Sequence, residues 1–90
     1  FQNIDRRLFS AYLRFEVDDK PGILSNITNI FSRNKVSIKR LVQYPHKNKK
    51  SSSIIIVTHR AEDQFLRKTL REVDRKNYVR HKSKLIRIDE

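Results

Sequence analysis

Ninety residues with a formal net charge of +11, one glycine and no cysteine describe a single small, strongly basic domain. A chain of this length buries only about 60–65 % of its unfolded surface, so covering an exposed face by self-association would help it. The composition excludes a disulfide framework, a thiol nucleophile and a thiolate metal site, and no apolar run approaches the ~18 residues of a membrane span. No signal peptide is visible, and a chain opening on Phe1 is expected to be a piece of a longer, cytoplasmic protein. The positive charge could serve nucleic acid by releasing counterions from phosphates. It is spread along the whole chain, with one cluster at His46-Lys47-Asn48-Lys49-Lys50, and that spread favours a solvated basic surface.

Residues 1–10 have no clear period and read as a connection from a preceding domain, leaving 11–90 as the folded unit. From Ala11 the pattern alternates. Leu13, Phe15 and Val17 point one way and Tyr12, Arg14, Glu16 and Asp18 the other, as in a half-buried strand. The turn Asp18-Asp19-Lys20-Pro21-Gly22 follows. Pro21 suits a first helical position, and Gly22 allows a backbone or ligand to come close. Ile23, Leu24, Ile27, Ile30 and Phe31 then form one helix face, with Asn34 placed for a left-handed cap. The first turn of this helix offers unpaired N–H groups and the positive end of a dipole, which suits a carboxylate or phosphate.

Val36 to Tyr44 reads as a second strand, ended by Pro45. Arg40 falls on the face shared by Val36, Ile38, Val42 and Tyr44, so either a bulge shifts the register or that end leaves the core. His46 to Ser53 reads as a polar hairpin loop. Ile54-Ile55-Ile56-Val57 is apolar on both faces, as expected of a central strand. Thr58 or His59 is expected to cap a second helix running from Glu62 and Asp63 to Arg75 and Lys76, with Phe65, Leu66, Thr69, Leu70 and Val73 inside. Tyr78-Val79 and Leu85 to Ile88 make a last strand with a basic interruption between them. The order βαββαβ predicts an α+β, ferredoxin-like sandwich: a four-stranded antiparallel sheet, two helices on one face, the other face open.

The same topology serves RNA-binding domains that stack bases on aromatic residues of the central strands. The third strand here has neither glycine nor aromatic residue, so a specific nucleic-acid partner is not expected. A dinucleotide fingerprint is impossible with one glycine, and His46, His59 and His81 show no ligand spacing or paired carboxylate. Ser51-Ser52-Ser53 reads as loop without a base. No enzyme activity, metal or cofactor is expected of these residues.

The run from Leu13 through Asp19-Lys20-Pro21-Gly22-Ile23-Leu24, followed by Ile27, Ile30-Phe31 and Val36-Ser37-Ile38, resembles the signature of the ACT domain, a regulatory module that binds small molecules. Tyr12-Leu13-Arg14, Leu41-Val42-Gln43, Ile56-Val57-Thr58-His59 and Leu85-Ile86-Arg87-Ile88 make it most similar to the C-terminal ACT domain of homoserine dehydrogenases. The resemblance implies a ligand site between two copies, formed by Asp19, Lys20 and Pro21, the backbone of Gly22, Ile23 and Leu24, and Ser37. Asn is frequent in the family where Asp19 and Ser37 stand here. It further implies an amino-acid effector such as threonine, a second ACT domain as partner, and an N-terminal catalytic domain of the same chain that holds NAD(P). The alternatives are the ACT domain of another amino-acid-metabolism protein and a basic ferredoxin-like module that binds nucleic acid.

Overall fold

The computed structural model describes residues 7–47 and 50–88. Most of the expected connection, Asn48 and Lys49 of the basic cluster, and Asp89 and Glu90 lie outside the described residues. The elements run β1 (Leu8–Asp18), α1 (Ile23–Arg33), β2 (Ile38–Pro45), β3 (Ser51–Thr58), β4 (Ala61–Glu62), α2 (Asp63–Asp74) and β5 (Val79–Ile88). This is the expected α+β, ferredoxin-like βαββαβ order with one addition, the two-residue β4, which pairs with Leu8 and Phe9 at the start of β1. The strand therefore opens at Leu8, earlier than the alternating pattern suggests.

β1 and β3 are central: β2 flanks β3, β5 flanks β1, and each of these pairs is antiparallel. Leu13, Phe15 and Val17 of β1 and Ile54 and Ile56 of β3 are buried on the face that carries the helices. Ile23, Ile27, Ile30 and Phe31 of α1 and Leu66, Thr69 and Val73 of α2 close that core. Phe15 meets Phe31 edge to face, with ring centroids 6.1 Å apart.

Several expectations are corrected. β2 begins at Ile38, and its pairing steps from Ile38↔Thr58 to Arg40↔Val57, so Lys39 is the extra residue of a bulge. Beyond it Leu41 packs against the core, while Val42 and Tyr44 pass to the open face. Ser51, Ser52 and Ser53 belong to β3 and are buried. Their hydroxyl chemistry compensates, since Ser53 Oγ donates to Glu16 and Gln43 Nε2 donates to Ser52 Oγ at 3.2 Å. Thr58 caps no helix. Its Oγ1 accepts the Ala11 N–H at 3.0 Å inside the sheet, and Glu62 stands at the start of α2. That helix ends at Asp74, with Arg71 as the cation of its last turn and Arg75 as its cap residue.

The basic stretch in the last strand is no interruption. β5 runs unbroken, and Ser83 within it is buried, its N–H and Oγ both donating to Asp74 Oδ1 at 3.1 and 2.8 Å. At the end of α1, Lys35 rather than Asn34 takes the left-handed conformation, with φ 62°. The Lys35 N–H donates to Ser32 O at 3.1 Å and the Val36 N–H to Phe31 O at 3.0 Å, the paired bonds of a Schellman cap.

Candidate functional site

The segment between β1 and α1 is clamped by backbone bonds on both sides. The Asp18 N–H donates to Tyr78 O and the Asp19 N–H to Lys50 O, each at 2.9 Å. Tyr78 in turn donates its hydroxyl to Asn26 Oδ1, and burial pushes its phenol pKa up. Between these anchors the chain reverses over Lys20-Pro21-Gly22-Ile23, with Gly22 at φ 88°, ψ −17°. Pro at the second position and a positive-φ glycine at the third define a type II turn. Pro21 therefore precedes the helix instead of opening it, and Gly22 is its cap residue.

Among the described residues nothing lies within 4 Å of the point where a Gly22 Cβ would sit, so glycine is required there by φ and not by a neighbour. Among the described residues no side chain caps α1 at this end. The Ile23 N–H turns back toward Lys20 O at 3.5 Å, and helix geometry leaves the Leu24 and Ser25 N–H groups without an intrahelical acceptor. The open donors are therefore Leu24 and Ser25, where the expected set ran from Gly22 to Leu24.

The two carboxylates beside this end differ. Asp18 Oδ1 is held by Arg80 Nε at 2.7 Å. Asp19 is exposed and, among the described residues, its side chain makes no hydrogen bond or ion pair. Asp19, Lys20, Pro21, Gly22, Ile23 and Leu24 line one cavity of about 320 Å³, with Gln43 and Ile54 completing the wall. Gln43 is absent from the sequence expectation. The bulge at Lys39 turns it to the helix side, and the awkward place of Arg40 in the β2 pattern is the signal that could have found it. Ser37, the seventh expected residue, is not part of this cavity. It lines a separate one of about 550 Å³ with Thr28, Ser32 and Lys35, at the far end of α1. An 11-residue helix puts about 16 Å between the two places. Within one chain they cannot hold the same small ligand.

A second polar group forms on the open face. Glu16 accepts from Ser53 Oγ at 2.7 Å, from His46 Nε2 at 2.9 Å and from Arg14 Nε at 3.1 Å. Burial pushes the Glu16 carboxyl up, but the bonds from Ser53, His46 and Arg14 outweigh it and hold the pKa below the usual carboxylate range. His46 thus has the paired carboxylate that its sequence context did not suggest. Its Nε2 also lies 3.0 Å from Ser53 Oγ, so one ring nitrogen faces both partners. A nucleophile relay needs the histidine between the two, using both nitrogens, so this arrangement ties strands and loop together without activating Ser53. Among the described residues no group of His, Asp and Glu is placed to hold a metal, and no helix is long and apolar enough to cross a membrane.

Residues 11–75 match the family pattern described as the ACT domain. The chain belongs to the ACT domain family. This ACT domain is 26 % identical over 86 residues to a homoserine dehydrogenase of Neisseria gonorrhoeae, covering 96 % of the chain and 20 % of that protein. It is 32 % identical over 82 residues to a homoserine dehydrogenase of Mycobacterium tuberculosis, covering 87 % of the chain and 19 % of that protein. A solved homoserine dehydrogenase from Thiobacillus denitrificans superposes on 99 % of the chain and 19 % of its own, with a TM-score of 0.85 and 25 % identity. The ACT domain of a Chlorobium tepidum GTP pyrophosphokinase shares the fold, with a TM-score of 0.66 at 18 % identity over 88 % of the chain and 99 % of its own. The chain spans about a fifth of the length of the curated relatives it matches.

Proposed function

We propose that this ACT domain is the regulatory domain of a homoserine dehydrogenase, binding an amino-acid end product, threonine, at the Asp19–Leu24 turn. The single observation that carries the reading is the pairing of a helix end no side chain caps with an unengaged carboxylate on one 320 Å³ cavity. An α-amino acid presents the complement of that pair. Its carboxylate meets the Leu24 and Ser25 N–H groups, its ammonium approaches Asp19, and Gln43 is left to meet a side-chain hydroxyl. The helix end supplies roughly 0.3–1 kcal/mol toward the anion, and each charge-assisted hydrogen bond ~1.5–3 kcal/mol before ordering costs.

The second half of the reading is self-association. The outer face of α1 presents Ser25, Asn26, Thr28, Asn29 and Ser32, a neutral surface on a chain of net charge +11. Two copies approach there, and at the free edge of β2, with least repulsion, and such a pair brings the Ser37 of one copy toward the turn of the other. In the whole protein, with the residues ahead of Leu8 as the connection, the catalytic domain would hold NAD(P) and the effector would act on it from the cytoplasm. Calorimetry on the wild-type chain and Asp19→Ala tests the site. Threonine should bind the wild type and bind the variant about tenfold more weakly, a difference of ~1.4 kcal/mol, with unfolding unchanged. No heat from threonine or any other amino acid with the wild type would sink the effector reading.

A further inference from the structure

The open face of the sheet holds a third depression, on the side of the sheet away from the helices. It has a volume of about 450 Å³ and is lined by Arg14, Glu16, His81, Lys82 and Lys84. Its shape comes from irregular pairing. From Arg14↔Lys84 to Glu16↔His81, β1 advances two residues and β5 three; from there to Val17↔Val79, β1 advances one and β5 two. An extra residue in a strand re-aims the side chains around it. Without the extra residue, His81 and Lys84 would project to opposite faces of the sheet; here they converge on Arg14 and Glu16.

The charges do not cancel. Arg14, Lys82 and Lys84 are positive against the single carboxylate of Glu16, and that carboxylate is already bonded to Ser53, His46 and Arg14. Among the described residues Lys82 and Lys84 have no carboxylate partner. Beside the depression, two pairs further along the same strands, Tyr12 lies opposite Ile86, which is 58 % exposed. A concave surface with two uncompensated positive charges and an adjoining aromatic and aliphatic wall matches a doubly charged anion on a planar or apolar body.

We propose that this depression is a second binding site, separate from the effector turn, for an organic phosphate monoester of the nucleotide class. The phosphate sits between Lys82, Lys84 and Arg14, and the ring lies on Tyr12 and Ile86. The same chemistry is offered by a free nucleotide and by single-stranded RNA, so the test separates the two. Adenosine monophosphate, inorganic phosphate and a short RNA are titrated into the chain at about physiological salt, followed by calorimetry and amide chemical shifts. Adenosine monophosphate should saturate one site, shift amides of Tyr12, Arg14, Lys84 and Ile86, and bind more tightly than inorganic phosphate. Lys82→Gln/Lys84→Gln should weaken it roughly tenfold, whereas Lys68→Gln/Lys76→Gln, with the same loss of charge on α2 and just beyond its end, should not. Asp19→Ala should leave it unchanged, so this site and the effector site succeed or fail separately. Equal loss in both double variants, no advantage of the nucleotide over inorganic phosphate, or RNA binding indifferent to Lys82 and Lys84 would each overturn the proposal.

Discussion

The two ends of α1 are built from the same unusual backbone and used in opposite ways. Each has a residue with positive φ, Gly22 at 88° before the helix and Lys35 at 62° after it. At the Lys35 end the last carbonyls are taken up: Ile30 O, Phe31 O and Ser32 O all accept N–H groups from Asn34, Lys35 and Val36. Asn34 Nδ2 adds bonds to Ile30 O at 2.9 Å and to Glu72 Oε1 at 3.0 Å, fastening α1 to α2. At the Gly22 end no side chain among the described residues bonds the first N–H groups, and the adjoining Asp19 is left exposed. A helix end closed by its own chain serves stability. One left open beside a cavity is available to a ligand, at some cost in stability.

Breaking the open end should have the largest effect. Gly22→Val places a β-branched residue at φ 88°, a strain of about 1–3 kcal/mol, with space for the side chain itself. The melting temperature should drop by roughly 4–8 °C per kcal/mol lost, and threonine binding should vanish as the turn shifts. Gly22→Asn should keep most of both, because Asn tolerates the left-handed region. If Asn and Val behave alike, the positive φ is not what requires the glycine.

The closed end offers the converse result, stability lost and binding kept. Asn34→Ala removes a buried amide that bonds Ile30 O and Glu72, and about 1–2 kcal/mol should go with it. It should also change the acid limb of stability. The Asn34 amide, ahead of the Arg33 charge, holds the Glu72 pKa below the usual carboxylate range. A carboxyl lowered in this way stabilises the fold above its unfolded pKa, and that stabilisation is lost as pH falls through the lowered, folded value. In Asn34→Ala the acid-side decline below about pH 5 should therefore be shallower, with the Glu16 contribution common to both proteins. Thermal melts between neutral and acidic pH would check this; parallel curves would remove Glu72 from the account.

What could be read from the sequence follows the same division. The α1 face was legible because five apolar residues repeat at helical spacing, and the central place of β3 because Ile54 to Val57 is apolar on both sides. The misses are places where hydrogen bonding overrides residue preference. Left-handed propensity points to Asn34, but the Schellman bonds assign that conformation to the residue after it. Serine composition points to a loop, yet Glu16 and Gln43 satisfy two of the three hydroxyls inside the sheet. Most of the turn site was visible because it is contiguous in the chain. Gln43 was not, because one bulged residue at Lys39 decides which way it faces.

The smallest effect expected is at Lys35 itself. A lysine with φ 62° carries a backbone penalty of roughly 1 kcal/mol that glycine would not. Two terms oppose the gain from Lys35→Gly. Glycine makes the unfolded chain more flexible, which costs about 0.4–1 kcal/mol. The substitution also removes the Lys35 ammonium, which lies 5.7 Å from the centre of the Phe65 ring, a contact of about 0.5–1 kcal/mol at an exposed site. The terms nearly cancel, so Lys35→Gly should range from neutral to a loss of about 1 kcal/mol. A double-mutant cycle separates the terms. In a Phe65→Leu background the ring contact is already gone, and Lys35→Gly should then be more favourable by about 0.5 kcal/mol than in the wild type. Equal effects in the two backgrounds would show that the ammonium gains nothing from the ring and that glycine's gain at φ 62° is cancelled in the unfolded chain alone.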